Sequence, residues 1–344
     1  MNGDFSVPVL ARLNADDDPA PLLAWVQAQR QGLPPARLHG GGLASAVAGL
    51  GHAMQLEPRL RPVAEAARDR LVQWTRQAVV PQHVYSHDYD IVSGMSGVVL
   101  ALASFPRATF AHIEPAVTYL LALCSGDLSR LRHGWQEPSP DTAWNAGHYN
   151  HGLAHGLPGV LAALLTAYPL GVEKCDELAA AIGLLAHHLD RAATFCSRGV
   201  ITWGRGDLAE SVDGQRQAWC YGTPGVAWQL AEAGRLLEEP ALTERALAAM
   251  ASLCWAWDSD LYFADDPSEA RSGFCHGLPG LLTVADAFSV HYGLREATDL
   301  CRHLVATKAA ARSDSVTFLA GSGGACLAGQ RSTQVRWQML AGLR

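Results

Sequence analysis

The chain has 344 residues, with 33 Asp and Glu against 26 Lys and Arg and a formal net charge of −7. Apolar residues make up 49% and charged residues 17%, which excludes a disordered chain and demands a large buried core. The acidic balance excludes a nucleic-acid surface. No apolar run approaches the ~18 residues of a membrane span, because Pro158, Pro169 and Gly171 interrupt the greasiest stretch.

The chain opens Met1-Asn2-Gly3-Asp4-Phe5, without a basic n-region or an apolar h-segment, so a cytoplasmic protein is expected. Its eight cysteines are expected to be reduced. One domain over 1–344 is expected, with 1–37 an N-terminal helical capping segment, 38–329 a repeat core and 330–344 a tail. Within the core a small-residue signature recurs. A poor copy, His39-Gly40-Gly41-Gly42-Leu43, is followed by Ser93-Gly94-Met95-Ser96-Gly97 and His155-Gly156-Leu157-Pro158-Gly159. Then come Tyr221-Gly222-Thr223-Pro224-Gly225, His276-Gly277-Leu278-Pro279-Gly280 and a worn copy, Gly321-Ser322-Gly323-Gly324. The second glycines stand at 42, 97, 159, 225, 280 and 324, a period that holds two helices and two loops.

Runs behind the signatures, such as Val160-Leu161-Ala162-Ala163-Leu164-Leu165, are apolar nearly all round and predict buried inner helices. Between them Leu178, Ile182, Leu185 and Leu189, and Leu242, Ala246, Met250, Leu253 and Trp257, recur every three or four residues and predict amphipathic outer helices. Pro158, Pro224 and Pro279 fall in the first turn of inner helices, where a missing N–H costs nothing. Only Val200-Ile201-Thr202-Trp203 reads as a short strand. Neither helical layer buries its apolar surface alone, so the expected fold is all-α: a double-layered α/α toroid of six to seven hairpins with GxxG loops at the inner-helix N-termini.

Parallel inner helices would bring the residues ahead of each GxxG to one mouth. Cys220, Cys275 and His276 then make an S2N set that suits Zn2+ and leaves a fourth position open, as catalytic zinc sites do. The competing reading, cysteine as a small buried hydrophobe, is taken for most of Cys124, Cys175, Cys196, Cys254, Cys301 and Cys326. His155 is the candidate for proton transfer from its place in the repeat. His148 and His151 read as loop hydrogen-bonders, because Gly152 argues against a helical chelate of His151 with His155. Asp90 precedes Gly94 by four residues and Arg216 precedes Cys220 by four, so these opposite charges are expected to meet at the mouth. Arg205-Gly206-Asp207 receives no role, and Gly321-Ser322-Gly323-Gly324 lacks the lysine of a phosphate loop.

With YDIVSGMSG, AHGLPG, WCYGTPG and CHGLPG in this order, the chain from about Leu38 to Gly329 resembles the lanthionine synthetase C-like family, the cyclases of lanthipeptide biosynthesis. The resemblance implies an α/α toroid with Zn2+ held by Cys220, Cys275 and His276, the fourth site taking the substrate's cysteine thiol. It implies that His155 is the acid/base histidine, that Asp90 is the family's aspartate, and that Arg216 and Tyr221 flank the first zinc cysteine. The implied reaction is Michael-type addition of peptide cysteine thiolates to dehydroalanine or dehydrobutyrine, forming (methyl)lanthionine rings. The substrate would be a dehydrated precursor peptide, and a separate dehydratase is expected because this length leaves no room for a fused one. Alternatives on the same fold are addition of glutathione, aminovinyl-cysteine ring formation, or a peptide-binding scaffold without turnover.

Overall fold

The computed structural model describes residues 4, 6, 20–28, 37, 42–133, 146–207, 211–263, 270–308, 317–328 and 336–343. An N-terminal helix α1 (Ala20–Ala28) precedes the repeats. The apolar runs form inner helices α2 (Leu43–Leu56), α5 (Met95–Ala103), α7 (Leu157–Ala167), α9 (Thr223–Leu237), α12 (Leu278–Tyr292) and α14 (Ser322–Leu327). The amphipathic segments form outer helices α3 (Arg61–Gln77), α6 (Phe110–Cys124), α8 (Cys175–Ala192), α10 (Pro240–Trp255) and α13 (Arg295–Lys308). Two one-turn helices, α4 (Ser86–Tyr89) and α11 (Ser259–Tyr262), lie in loops.

From α2 to α12 each inner helix packs on the outer helix that follows it and on the next inner helix, and from α3 to α10 each outer helix packs on the next outer one. The result is the double-layered toroid expected, with six inner helices among the described residues. Burial divides the layers as the patterning requires. Every residue of α7 is buried, whereas α8 buries only Leu178, Ala181, Ile182, Leu185, Ala186 and Leu189. Truncating one such leucine to alanine costs about 2–5 kcal/mol, the transfer free energy plus the cavity left behind. The α10 stripe is buried at Leu242, Ala246, Met250 and Leu253, but Trp257 lies past the helix end at Trp255. The short strand is β2 (Ile201–Thr202), paired antiparallel with β1 (Thr194–Phe195).

The glycine signatures have a packing cause. A Cβ on Gly159, Gly225, Gly280 or Gly324 would meet Ile91, Leu153, Trp219 or Phe274 respectively at 2.6–3.1 Å. Each of these apolar residues stands three positions before the first glycine of its own signature and inserts against the first turn of the next inner helix. The same Cβ would fall still closer, at 2.0–2.6 Å, to the carbonyl of the residue six positions earlier in its own loop, Leu153, Trp219, Phe274 or Phe318, so the second glycine admits both its own loop's backbone and its neighbour's apolar side chain.

Residues expected as a tail enter the ring. A 3-10 turn at Trp337–Ala341 brings Trp337 against Phe274 and Phe318. The Trp219 indole N–H donates to the Ala341 carbonyl at 2.8 Å, and the Gln229 amide donates to the Gly342 carbonyl at 2.8 Å. At the other terminus, the Asp4 carboxylate accepts the Phe318 N–H at 2.9 Å. Leu38 to Gly41 of the poor first copy, Gly329, and most of 1–37 lie outside the described residues.

Candidate active site

The loops ahead of the inner helices are stitched to one another at the helix N-termini. Ile91 N–H donates to the Ala154 carbonyl at 3.1 Å, joining the Asp90 loop to the His155 loop. The Asn150 amide donates to the Tyr221 hydroxyl at 3.0 Å, joining the His155 loop to the Cys220 loop. Cys275 N–H donates to the Leu319 carbonyl at 2.9 Å, tying in the last loop. Gly152 is a necessity of this stitching, since a Cβ there would fall on the Tyr221 ring.

The mouth gathers the sequence-distant groups. One ligand atom each from Cys220, Cys275 and His276 lies within 4.8 Å of the others. Cys220 is buried and the other two are half-buried, so the cluster has a protein side and an open side. Burial would raise the Cys220 thiol, but hydrogen bonds from Cys275 and His276 and the positive charges of His276 and Arg216 outweigh it and draw its pKa down. The first proton thus leaves the thiol pair readily, while Cys275 beside the resulting thiolate holds the second. Cys124 and Cys254, which lack such partners, are pushed up to about 12 by burial. Cys326, by contrast, is exposed and not part of a core.

The donor set fits zinc. Two thiol sulfurs and an imidazole are soft-to-borderline ligands, close enough to share an ion bound at about 2.0–2.3 Å, and the thiol pair is already inclined to ionise.

Beside this cluster His155 Nδ1 meets Asp90 Oδ2 at 2.6 Å. Asp90 is 2% exposed and His155 40%, so the acid is fixed while the ring faces the mouth. The other Asp90 oxygen accepts the N–H groups of Ser93 at 2.6 Å and Gly94 at 2.9 Å. Burial alone would lower the His155 pKa, but the hydrogen bond and charge of Asp90, with Cys220 adding to them, raise it above the ordinary 6.5. Arg216 acts on the thiols, lowering both Cys220 and Cys275, whereas the Asp90 carboxylate goes to His155. Burial raises the Tyr221 pKa, so the phenol stays protonated; with its oxygen accepting from Asn150, the O–H is left to donate.

The structure brings Cys220, Cys275 and His276 together and, separately, pairs His155 with Asp90. Residues 150–156 form a loop rather than a helix; His151 turns to His188 and His148 to Asp207, so neither shares a ligand position with His155. Sequence reasoning missed Asn150, whose amide holds Tyr221, whose side-chain oxygen accepts Gly152 N–H at 2.8 Å and whose carbonyl accepts Leu157 N–H at 2.9 Å. The signal was available: Asn150 stands six residues before Gly156, as Arg216 stands six before Gly222.

Comparison with known proteins places this chain in a family. The nisin biosynthesis protein NisC of Lactococcus lactis subsp. lactis is 22% identical over 227 residues, 60% of this chain and 50% of that protein, so the match spans about half of that relative. A solved structure of a nisin cyclase superposes with a TM-score of 0.81 at 17% identity, covering 99% of this chain and 90% of that one, a likeness of fold. The family described as lanthionine synthetase C-like protein matches residues 64–302, a span containing Asp90, His155, Arg216, Cys220, Tyr221, Cys275 and His276. The chain belongs to the lanthionine synthetase C-like family.

Proposed function

We propose that the protein is a cyclase that closes thioether rings in a dehydrated peptide, joining a cysteine sulfur to the β-carbon of dehydroalanine or dehydrobutyrine. The observation that carries the reading is the convergence, at one mouth, of a three-donor soft-metal set and a carboxylate-buttressed histidine. Cys220, Cys275 and His276 would hold Zn2+, which when bound supplies a Lewis acid that keeps a cysteine thiol, of ordinary pKa near 8.5, ionised at neutral pH.

The chain's own residues do the rest. As the C–S bond forms, the alkene electron pair moves onto the α-carbon and its carbonyl as an enolate. His155, kept protonated by Asp90, stands at the mouth to deliver a proton to the α-carbon. Arg216 and the Tyr221 O–H would stabilise the enolate oxygen. The thiol proton lost and the α-carbon proton gained balance, so the ring has the mass of its precursor. Holding both ends of the peptide in the mouth supplies the proximity that macrocycle closure needs.

The substrate must arrive dehydrated, which calls for a dehydratase activity acting before this one. The eight unbridged cysteines fit a reducing, cytoplasmic setting, and no helix among the described residues is long and apolar enough to cross a membrane. The test is mass spectrometry of a dehydrated peptide incubated with the protein, with and without glutathione. Ring closure leaves the mass unchanged and abolishes thiol alkylation. A gain of one glutathione would assign intermolecular addition instead, and no change in either readout would leave only a scaffold.

A further inference from the structure

The segment 337–343 belongs to neither helical layer, yet Trp337, Leu340, Ala341 and Leu343 are at most 1% exposed. What buries it is the inner side of the site loops. The Trp337 ring stands edge-on to Phe274 and Phe318, 5.8 Å and 5.9 Å from their centroids. The Ala341 carbonyl accepts the Trp219 indole N–H, and the Gly342 carbonyl accepts the amide of Gln229 on α9. Gly342 has a φ of +71°, and a Cβ there would meet Ala162 of α7 at 3.0 Å, the Gln229 amide at 3.4 Å and Ile91 at 3.7 Å.

These neighbours share a place in the sequence. Ile91 follows Asp90, Trp219 precedes Cys220 and Phe274 precedes Cys275. One short segment therefore touches three loops from three repeats, each time one peptide bond away from a residue of the site. Its other face looks away from the mouth: Gln338, Met339 and Leu343 line a cavity of about 830 Å³ together with Gln55, Thr166 and Ala287, which lie in the C-terminal halves of α2, α7 and α12. The segment lies between the site loops and this cavity, as a floor beneath the mouth.

A floor in this place has a physical use. Ligand atoms carried by separate loops must be held within about 0.5 Å of their productive positions for one ion to engage them all, and the groups behind the ligands do that holding. Apolar contact alone would fill the volume without fixing direction. The two buried hydrogen bonds from Trp219 and Gln229, and a backbone at Gly342 kept for glycine, fix both where the segment sits and how the Trp219 ring lies.

We infer that residues 337–343 are a positioning segment for the site: by holding Ile91, Trp219 and Phe274 in register they preorganise Cys220 and Cys275 for the metal and present Asp90 to His155. The inference rests on the reading of the mouth as a zinc-dependent cyclase.

The test compares the wild-type protein with four full-length variants, Trp337→Leu, Trp337→Phe, Gln229→Leu and Leu253→Ala. Leu253, buried on the outer helix α10, controls for lost stability. Competition with a chromogenic chelator reads zinc affinity, the absorption bands of the Co2+-substituted protein read the geometry of the metal site, and urea midpoints read stability. Trp337→Leu and Gln229→Leu should each weaken zinc binding about tenfold and shift the Co2+ bands. Both should lower kcat for a dehydrated cysteine peptide by about 10–10², the scale of a displaced reacting group, with KM within about twofold. The indole N–H of Trp337 has no hydrogen-bond partner among the described residues, so Trp337→Phe, which keeps an aromatic ring against Phe274 and Phe318, should restore most of the zinc affinity. Leu253→Ala should lower the urea midpoint and leave zinc affinity and the Co2+ bands unchanged. Zinc affinity within about twofold of wild type in both Trp337→Leu and Gln229→Leu, or an equal loss in Leu253→Ala, would overturn the inference. If the wild-type protein closes no ring while zinc affinity follows this order of variants, the cyclase reading fails and the positioning role stands.

Discussion

His155 Nδ1 lies 2.6 Å from Asp90 Oδ2, and the two residues come from different repeats, 65 positions apart. Backbone N–H groups of Ser93 and Gly94 fix the other Asp90 oxygen, so the carboxylate is anchored in one loop and orients the imidazole of the next. The unit holds a proton: the folded-state pKa of His155 is raised above 6.5 because Asp90 outweighs burial. The acid form is complete at low pH and is lost as pH rises through the raised value. Asp90→Asn removes the charge that raises it and leaves burial, which lowers it. The alkaline limb of turnover should then move to lower pH, with a loss of about 10²–10³ at neutral pH, read from kcat/KM against pH. An unmoved limb would remove Asp90 from this role.

Metal content separates ligands from acid. Zinc-loaded wild type should carry one equivalent, and Cys275→Ala and His276→Ala should retain well under half of it after dialysis against a weak chelator. His155→Ala should keep the metal and lose turnover by about 10²–10⁴. Equal metal loss in all three variants would abolish the distinction. The readouts are atomic absorption for zinc and thiol alkylation for ring closure.

Gly222 marks the backbone requirement of the Cys220 loop. Its φ of +82° with ψ of −156° is a conformation kept for glycine, and a Cβ would meet the Arg216 carbonyl at 2.6 Å. Gly222→Ala should cost about 1–3 kcal/mol in urea unfolding and weaken zinc binding, because the displaced backbone carries Cys220. Gly293, at the end of α12 with φ of +65° and open space around it, is the control: Gly293→Ala should cost less and leave zinc affinity unchanged. Equal effects on zinc would refute the loop assignment.

Two buried histidines set the acid side of stability. Burial holds His52 at about 4, and burial with His188 holds His151 at about 4. Unfolding restores a value near 6.5, so between about 4 and 6.5 the unfolded chain binds more protons and stability rises with pH. Each contribution is intact above 6.5 and is lost as pH falls towards 4, on the order of 3 kcal/mol apiece. Urea midpoints measured from pH 7 to pH 5 should fall, and His52→Phe should flatten the slope. An unchanged slope in that variant would assign the acid sensitivity to other groups.

The toroid was legible because its two layers differ in kind. α7 is apolar on every side and α8 on one stripe, and those patterns need no tertiary information. The glycine signatures gave the period, yet part of their packing, the contact of Ile91, Leu153, Trp219 and Phe274 with successive helices, lies between repeats, where no local pattern contains it. The cysteines and His276 were found from equivalent repeat positions, and geometry brings them to one place. Asp90 turns to His155, and the charge of Arg216 acts on the Cys220 thiol. Equal loop offsets fix position along the chain but not the direction in which a side chain turns. Asn150 depended on loop-to-loop contacts such as the bridge between Asn150 and Gly206.

Zinc K-edge X-ray absorption on the zinc-loaded protein, before and after addition of a cysteine-containing peptide, tests the central claim most directly. The account predicts two sulfur ligands and one imidazole nitrogen from Cys220, Cys275 and His276, with the sulfur count rising to three when the peptide binds. A sulfur count that stays at two with saturating peptide, or that is unaffected by Cys220→Ala, would contradict it.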